Sequence, residues 1–400
     1  MKKKILFVID SLNSGGAEKS LISLLSLLDY DKYEVDLLTF RSGGLYEPLI
    51  HESVNRLKSP DIFTTMSKSI KEVLINKEYS NFFWRIKSSI DIRYKMRFTH
   101  IKHGAQAMWP NLKNKIQSLN KEYDVAVAYS QGTPTYYVAE KVEAVKKICW
   151  INTDYIKAGY NIEFDKKYYN NYNNIVTVSN KNKEILEKVF PKYKTKIKVI
   201  YDSISPKLVI NMAKEDKGYN DDFDGIRILT IGRHVHLKGY DIAIDAARIL
   251  KEKGIKFRWY SIGEGVLTSM LKQQVKENNL EDEFKFIGTY TNPYPFIKEC
   301  DIYCQPSRFE GFGMAIAEAK ILNKPIVTTN FDIVYDQIED KKNGIVVNMN
   351  AISLYKGIVE LIDNKQLKKI LVQNLLKENI KFKENINFKE NINNLNRLID

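Results

Sequence analysis

The sequence predicts an α/β protein made of two parallel-sheet domains, and three observations carry that prediction. Apolar runs of strand length alternate with helical patterns from end to end. Those runs are continuously apolar or β-branched, as expected of strands covered on both faces. The pattern also stops and restarts once, on either side of a polar stretch near the middle of the chain. The chain has 400 residues, enough for two separate cores. Its 44% hydrophobic and 28% charged content argues against wholesale disorder.

The first strand is KILFVI, inside the opening MKKKILFVID. A basic start before a short apolar stretch resembles a secretion signal, but the apolar part stops at Asp10 and no small-residue cleavage site follows. A first buried strand, and with it a cytoplasmic protein, is the expectation. No apolar run approaches the ~20 residues that span a bilayer. Further strands are expected at EVDLLTF, DVAVAY, KKICWI, NIVTV and IKVI. The stretch from about Ser203 to Asp224 contains Pro206, Gly218 and a charge-dense section, and reads as a linker. Strands then resume at IRILTI, KFRWYSI, FKFI, DIYCQ, PIVTT and GIVV. From about Lys365 onward the chain is rich in Lys, Asn and Leu at helical spacing. Two Rossmann-like domains facing each other across a cleft follow. Residues 1–204 form the first, with a basic helical insertion at about 61–115. Residues 205–375 form the second, and 376–400 a terminal helix.

The net charge is +13, which points to an anionic partner. Residues 61–115 hold eleven Lys or Arg against four Asp or Glu, interleaved with Phe82, Phe83, Trp84, Tyr94, Phe98 and Trp109. Such a segment suits the surface of an anionic membrane, and equally a solvated helical insertion. Cys149, Cys300 and Cys304 make no disulfide framework and have no zinc-like spacing, so they read as buried thiols in a reducing compartment.

Ligands of open parallel sheets bind beyond the carboxyl ends of the strands, so the loops there are the candidates for chemistry. After the first strand, Gly15 and Gly16 precede an amphipathic helix. Backbone N–H groups there allow close approach of a phosphate or sugar, although a plain tight turn explains the pair as well. After IRILTI comes GRHVHLKG, residues 232–239. Arg233 and Lys238, flanked by glycines, suit a clamp on a pyrophosphate whose charge grows as a bond breaks. A merely basic surface loop is the alternative. His234 and His236 lack a nearby carboxylate and make a poor metal site.

After DIYCQ comes PSRFEGFGMAIAE, residues 306–318. Glu310 falls in the loop, and Gly311 and Gly313 leave room for a ligand at the start of a helix whose free N–H groups favour anions. Glu318 is embedded in Met314, Ala315, Ile316, Ala317 and Ala319, where an unpaired carboxylate is costly, so a partner is implied. Gly263-Glu264-Gly265 imitates a dinucleotide fingerprint, but Thr268 stands at the third glycine position. There is no GxxxxGK[ST] loop and no Ser nucleophile elbow.

The order GGAE (15–18), GRxxxxKG (232–239), GEG (263–265) and EGFGxxxxE (310–318) resembles the retaining family 4 glycosyltransferases with the GT-B fold. Lys32-Tyr33-Glu34-Val35, leading into the second strand, is most similar to bacterial surface-polysaccharide members. The resemblance implies a retaining, metal-independent enzyme with no cofactor, for which a nucleotide-sugar, UDP-linked, is substrate. It implies that Arg233 and Lys238 hold the donor diphosphate and that Glu310 contacts the transferred sugar. Gly311, Phe312, Gly313 and Met314 would line the sugar and phosphate site, and Glu318 would bind the ribose. Gly15, Gly16 and Gly263 would complete the donor site, and the terminal helix would cross back to the first domain.

Many relatives place a His at the end of a first-domain strand. Here the corresponding segments are AYSQG and WINTD, with Tyr129 and Asn152 at those places and Asp154 nearby as acceptor-side candidates. The implied partners are a nucleotide-sugar and a glycan or lipid-linked acceptor, with an anionic membrane surface and no nucleic acid. The implied location is cytoplasmic or peripheral on the inner face of the cell membrane. A GT-B nucleotide-sugar epimerase and a basic nucleic-acid-binding protein are the alternatives.

Overall fold

A computed structural model of the chain describes every residue except 1, 14, 69–71, 73, 74, 76–78, 203, 216 and 385, and also leaves out the side chains of 67, 207 and 380–392. Lys71, Lys77 and Glu78 of the basic segment therefore lie outside the described residues. The chain divides into two compact units. One comprises Met1–Asn13, Ala17–Asp202 and Asn391–Asp400, the other Ser14–Gly16 and Ser203–Glu390.

In the first unit, β1 (Lys3–Ile9), β2 (Tyr33–Thr39), β3 (Val54–Leu57), β4 (Glu122–Ala128), β5 (Glu143–Ile151), β6 (Asn174–Thr177) and β7 (Ile197–Val199) form one parallel sheet. Its order is β3-β2-β1-β4-β5-β6-β7. The central strands are buried on both faces, as their unbroken apolar runs require: Ile5, Leu6, Phe7 and Val8 of β1 are wholly inaccessible. Strand β3 was not among the expected strands. Its sequence, VNRL, is four residues long and half polar, and it needs burial on one side only because it closes an edge.

In the second unit, β8 (Ile226–Ile231), β9 (Phe257–Ile262), β10 (Phe284–Phe286), β11 (Ile302–Gln305), β12 (Ile326–Thr329) and β13 (Ile345–Val347) form a second parallel sheet, ordered β10-β9-β8-β11-β12-β13. The supposed linker is not all coil. Ser205 caps a helix over Pro206–Met212 by accepting the Leu208 N–H at 3.3 Å, with Pro206 at the first helical position. Beyond it, the Tyr219 hydroxyl donates to the Phe296 carbonyl at 3.1 Å. Asp221 accepts from the Tyr260 hydroxyl at 2.5 Å and pairs with Arg227 at 2.9 Å and Arg258 at 2.8 Å; against the opposing effect of burial, the Tyr260 hydrogen bond and then the two cations hold its carboxyl down at about 2. This segment is therefore packed onto the second sheet.

The last two helices are Lys365–Glu384 and Ile386–Ile399. Within the first unit, Leu395 and Ile399 are buried and Lys3 pairs with Asp400 at 2.8 Å. Within the second, Leu371 and Leu375 are buried and Glu378 pairs with Lys320 at 3.3 Å. The three cysteines are free and buried. Among the described residues, no helix is long and apolar enough to cross a membrane.

Candidate functional site

Both sheets reverse their strand order once. In the second unit the reversal lies between β8 and β11, because β9 and β10 are laid to one side of β8 and β11 to the other. Loops leaving adjacent strands in opposite directions open a crevice at their carboxyl ends, where ligands of such sheets bind. The two loops at this crevice are Gly232–Gly239 and Pro306–Gly313, the segments that carry Arg233, Lys238 and Glu310.

The loops are stitched together. Lys238 Nζ donates to both oxygens of Glu310, at 2.7 Å each. Ser307 Oγ donates to Glu310 Oε1 at 2.7 Å and Gln305 Nε2 reaches the same oxygen at 3.1 Å. The Tyr303 hydroxyl in turn orients the Gln305 carbonyl oxygen at 2.5 Å. Glu310 is thus a buried carboxylate with its charge matched and its lone pairs used, the condition under which such a group is tolerable.

Arg308 makes a two-pronged contact with Asp241, at 2.7 and 2.5 Å, and also donates to the His236 carbonyl at 3.0 Å. Its own N–H bonds Leu237 O at 2.8 Å. Arg233 is exposed, and its guanidinium makes no hydrogen bond or ion pair among the described residues. The crevice thus offers one free guanidinium and one ammonium held by a carboxylate.

Glycines set the approach of these loops. Gly239 has φ +64°, and a Cβ there would lie 1.9 Å from Pro306 O. Gly263 has φ +144°, and a Cβ there would lie 2.0 Å from Gly232 O. A Cβ on Gly265 would meet His234 O at 2.5 Å. The GEG segment therefore lies backbone to backbone against the Arg233 loop, and the His234 N–H bonds Glu264 O at 3.1 Å.

His234 is wholly buried. Its Nδ1 faces Thr268 Oγ1 and its Nε2 faces Ser261 Oγ, both at 2.9 Å, so both ring nitrogens are used within the fold. Burial, with a smaller push from Lys272, holds the imidazole down at about 4, neutral at pH 7. His236 is exposed. Among the described residues no group of three or more His, Cys, Asp or Glu gathers as a metal site would require.

The helix Met314–Ile321 opens on Gly313, at φ +87°. Its first turn leaves the Met314 and Ala315 N–H groups without an intrahelical acceptor, at the end of the Pro306–Gly313 loop. Gln337 donates to the Phe312 carbonyl and so fixes the turn before the helix. Glu318 lies one turn further on, 1% exposed, and accepts from the Tyr294 hydroxyl at 3.1 Å. Tyr294 is a partner of the kind its apolar neighbours require.

In the first unit the reversal lies between β1 and β4. Gly15 precedes, and Gly16 opens, the helix Gly16–Leu25 after β1. The Tyr129 ring, 2% exposed, stacks on Trp150 with centroids 4.9 Å apart, and its hydroxyl pairs with Ser20 Oγ at 2.9 Å. Asn152 Nδ2 donates to Tyr129 O at 2.9 Å, while its Oδ1 is enclosed with no hydrogen-bond partner among the described residues. Asp154 Oδ1 accepts the Ile156 and Lys157 N–H groups at 3.0 and 3.1 Å, closing a turn.

Several residues here were not singled out in the sequence. Ser307 had a signal, the S-x-x-E spacing to Glu310, which is that of a capping box. Gln305 acts locally, five residues before Glu310, whereas Arg308, Asp241, Tyr294 and Gln337 act across separations that only the fold closes. Asp202, just beyond β7, also went unnoticed. One of its oxygens is enclosed without a partner among the described residues, and burial pushes its carboxyl up to about 7 against an opposing hydrogen bond from Ser20.

Residues 212–395 match the family model described as Glycosyl transferases group 1. The chain is similar to an uncharacterized glycosyltransferase of Methanocaldococcus jannaschii, 30% identical over 222 residues, which cover 55% of this chain and 58% of that one. That match spans little more than half of the archaeal protein. A longer match, 25% identical over 373 residues and 92% of each chain, is to a Campylobacter jejuni enzyme. That enzyme is named N-acetylgalactosamine-N,N'-diacetylbacillosaminyl-diphospho-undecaprenol 4-alpha-N-acetylgalactosaminyltransferase.

Among solved structures, a mutant of S. aureus TarM in complex with Fondaparinux, alpha-GlcNAc-glycerol and UDP superposes with a TM-score of 0.67 at 15% identity, over 100% of both chains. Anabaena Alr3699/HepE in complex with UDP and glucose superposes with a TM-score of 0.65 at 17% identity, over 96% of this chain and 98% of that one. At such identities the superpositions bear on the fold alone. The named sequence relatives both transfer sugars by name, which favours transfer over the epimerase and nucleic-acid readings.

Proposed function

We propose that this chain, a glycosyltransferase with the GT-B fold, moves a sugar with retention from a nucleotide-sugar, UDP-linked, to a glycan or lipid-linked acceptor of surface-polysaccharide synthesis. The observation that carries the reading is the Lys238–Glu310 pair at the strand reversal of the second sheet, with Arg233 free beside it. A diphosphate entering that crevice meets Arg233 and Lys238, and the Met314 and Ala315 N–H groups of the following helix. Sugar hydroxyls can then donate to Glu310 as Lys238 turns toward phosphate, so the carboxylate keeps its partners throughout. Glu318, one turn deeper, is the acceptor proposed for the ribose.

Bond cleavage leaves charge on the diphosphate, and fixed cations and dipoles stabilise that charge most in the transition state. The departing phosphate oxygen takes the proton of the attacking hydroxyl on the same face of the sugar, so a separate protein base is not called for. Arg233 and Lys238 supply the positive charge, which is the ground for proposing that no metal is needed. A lipid-linked acceptor would place the enzyme on the inner face of the cell membrane, in the cytoplasm.

Donor turnover by Arg233→Ala and Glu310→Ala variants, measured as nucleoside diphosphate release against a panel of nucleotide sugars, tests the reading. A fall of at least about 10²-fold is expected in each. Near-normal turnover in both variants contradicts the assignment.

A further inference from the structure

The helix Tyr79–Phe98 belongs to the first unit and carries none of the residues assigned above. One face is fixed to the protein. Ser88 is buried and Trp84 packs against the core. Arg85 donates to the Thr65 and Lys68 carbonyls at 3.3 and 2.7 Å, and Asp91 accepts from Asn111 at 2.6 Å and from Lys95 at 2.5 Å.

The other face is open and apolar. Phe83, Ile86, Ile90, Tyr94 and Phe98 follow one another at spacings of three or four, the period that keeps side chains on one side of a helix. Phe83 is 67% exposed, Ile90 63% and Phe98 66%. A contiguous exposed apolar row of this kind marks an interaction surface. Charge identifies the kind. Lys87 and Arg93 are exposed near the row and make no ion pair among the described residues, and Arg97 lies over the Phe98 ring at 5.7 Å. Asp91, the one acid in the helix, is already paired.

We infer that this face docks the protein on a bilayer containing anionic lipid, with the aromatic and aliphatic row in the headgroup boundary and Lys87, Arg93 and Arg97 against lipid phosphates. Aromatic residues on one side and unpaired cations beside them are what an interfacial helix requires. A protein partner would call for a row matched to one shape, whereas lipid accepts bulky side chains in any rotamer. The inference deepens the lipid-linked-acceptor reading and rests on it for its purpose, since docking brings the site to an acceptor that does not leave the membrane.

The test is co-flotation of the full chain with phosphatidylcholine vesicles, with or without phosphatidylglycerol. Binding is expected only with the anionic lipid, and it should weaken as salt rises. The Lys87→Gln/Arg93→Gln/Arg97→Gln variant should bind on the order of 100-fold more weakly, at about fivefold per cation. Phe83→Ser/Ile90→Ser should also lose binding, with an unchanged melting temperature showing that the chain is folded.

Equal binding of parent and variants, or no binding to either vesicle, overturns the inference. So does a parent that elutes as a dimer, becomes monomeric in Phe83→Ser/Ile90→Ser and ignores vesicles, because the row is then a self-association face. Donor turnover without vesicles keeps the two readings apart. Vesicle binding without turnover removes the catalytic reading and leaves the docking face. Turnover without vesicle binding does the reverse.

Discussion

A Lys238→Ala variant is expected to transfer sugar roughly 10²–10³-fold more slowly than the parent protein, a loss of about 3–4 kcal/mol in the transition state. Two effects act in the same direction. The ammonium that would meet the developing charge on the diphosphate is gone. In addition, Glu310 is left at the crevice without its cation, with Ser307 and Gln305 as its remaining hydrogen-bond donors among the described residues, an environment unfavourable to an anionic donor. Breaking one side of an enclosed ion pair also costs stability, by about 3 kcal/mol if the pair were fully buried and less here, where the lysine is 22% exposed. Adding Glu310→Gln to the variant removes the stranded charge. The double variant should therefore recover most of the melting temperature while remaining slow in steady-state turnover. Recovery of both would mean that Lys238 serves only to hold Glu310.

A Gly263→Ala variant should destabilise the second unit by at least about 3 kcal/mol, a drop of roughly 6–12 °C in its melting temperature, and weaken donor binding with it. The added methyl would lie 2.0 Å from Gly232 O, and the backbone is at φ +144°. Neither strain can be relieved without moving the loop that carries Arg233. Gly254→Ala is the control. Its φ is +71°, but nothing lies within 4 Å of the new methyl, so it should cost only the ~1–2 kcal/mol of the left-handed conformation. Differential scanning calorimetry of the two variants separates contact from conformation. Equal losses in both would show that the close approach at Gly263 does not matter.

These two positions also show where the sequence was and was not legible. Lys238 and Glu310 stood out because cations and carboxylates beside glycines in strand-end loops have few structural uses. Their direct contact spans 72 residues, and only the order of β8 and β11 reveals it. Gly263 stood in a fragment imitating a dinucleotide fingerprint, and its approach to Gly232 depends on the pairing of β8 with β9. His234 and His236 read as a poor metal site, but the sequence did not say what His234 does instead: it is a core residue bonded to Ser261 and Thr268, one of them on a strand that the local sequence does not announce as a neighbour. The fold was easier to read because unbroken apolar runs such as IRILTI mark strands buried on two faces. VNRL escaped notice because an edge strand needs only one buried side, and Pro206–Met212 because its cap signal sits inside a polar stretch.

The proposed retention of configuration and the proposed role of the protein cations meet in one measurement. Protein stripped with EDTA is given a UDP-sugar it turns over and a suitable acceptor, and the anomeric proton coupling of the product is read by NMR. A product with the donor's own anomeric configuration, formed at a rate unchanged by EDTA, is the predicted result. An inverted product, or turnover that returns only when a divalent ion is added, would contradict a site in which Arg233 and Lys238 carry the charge of the leaving diphosphate.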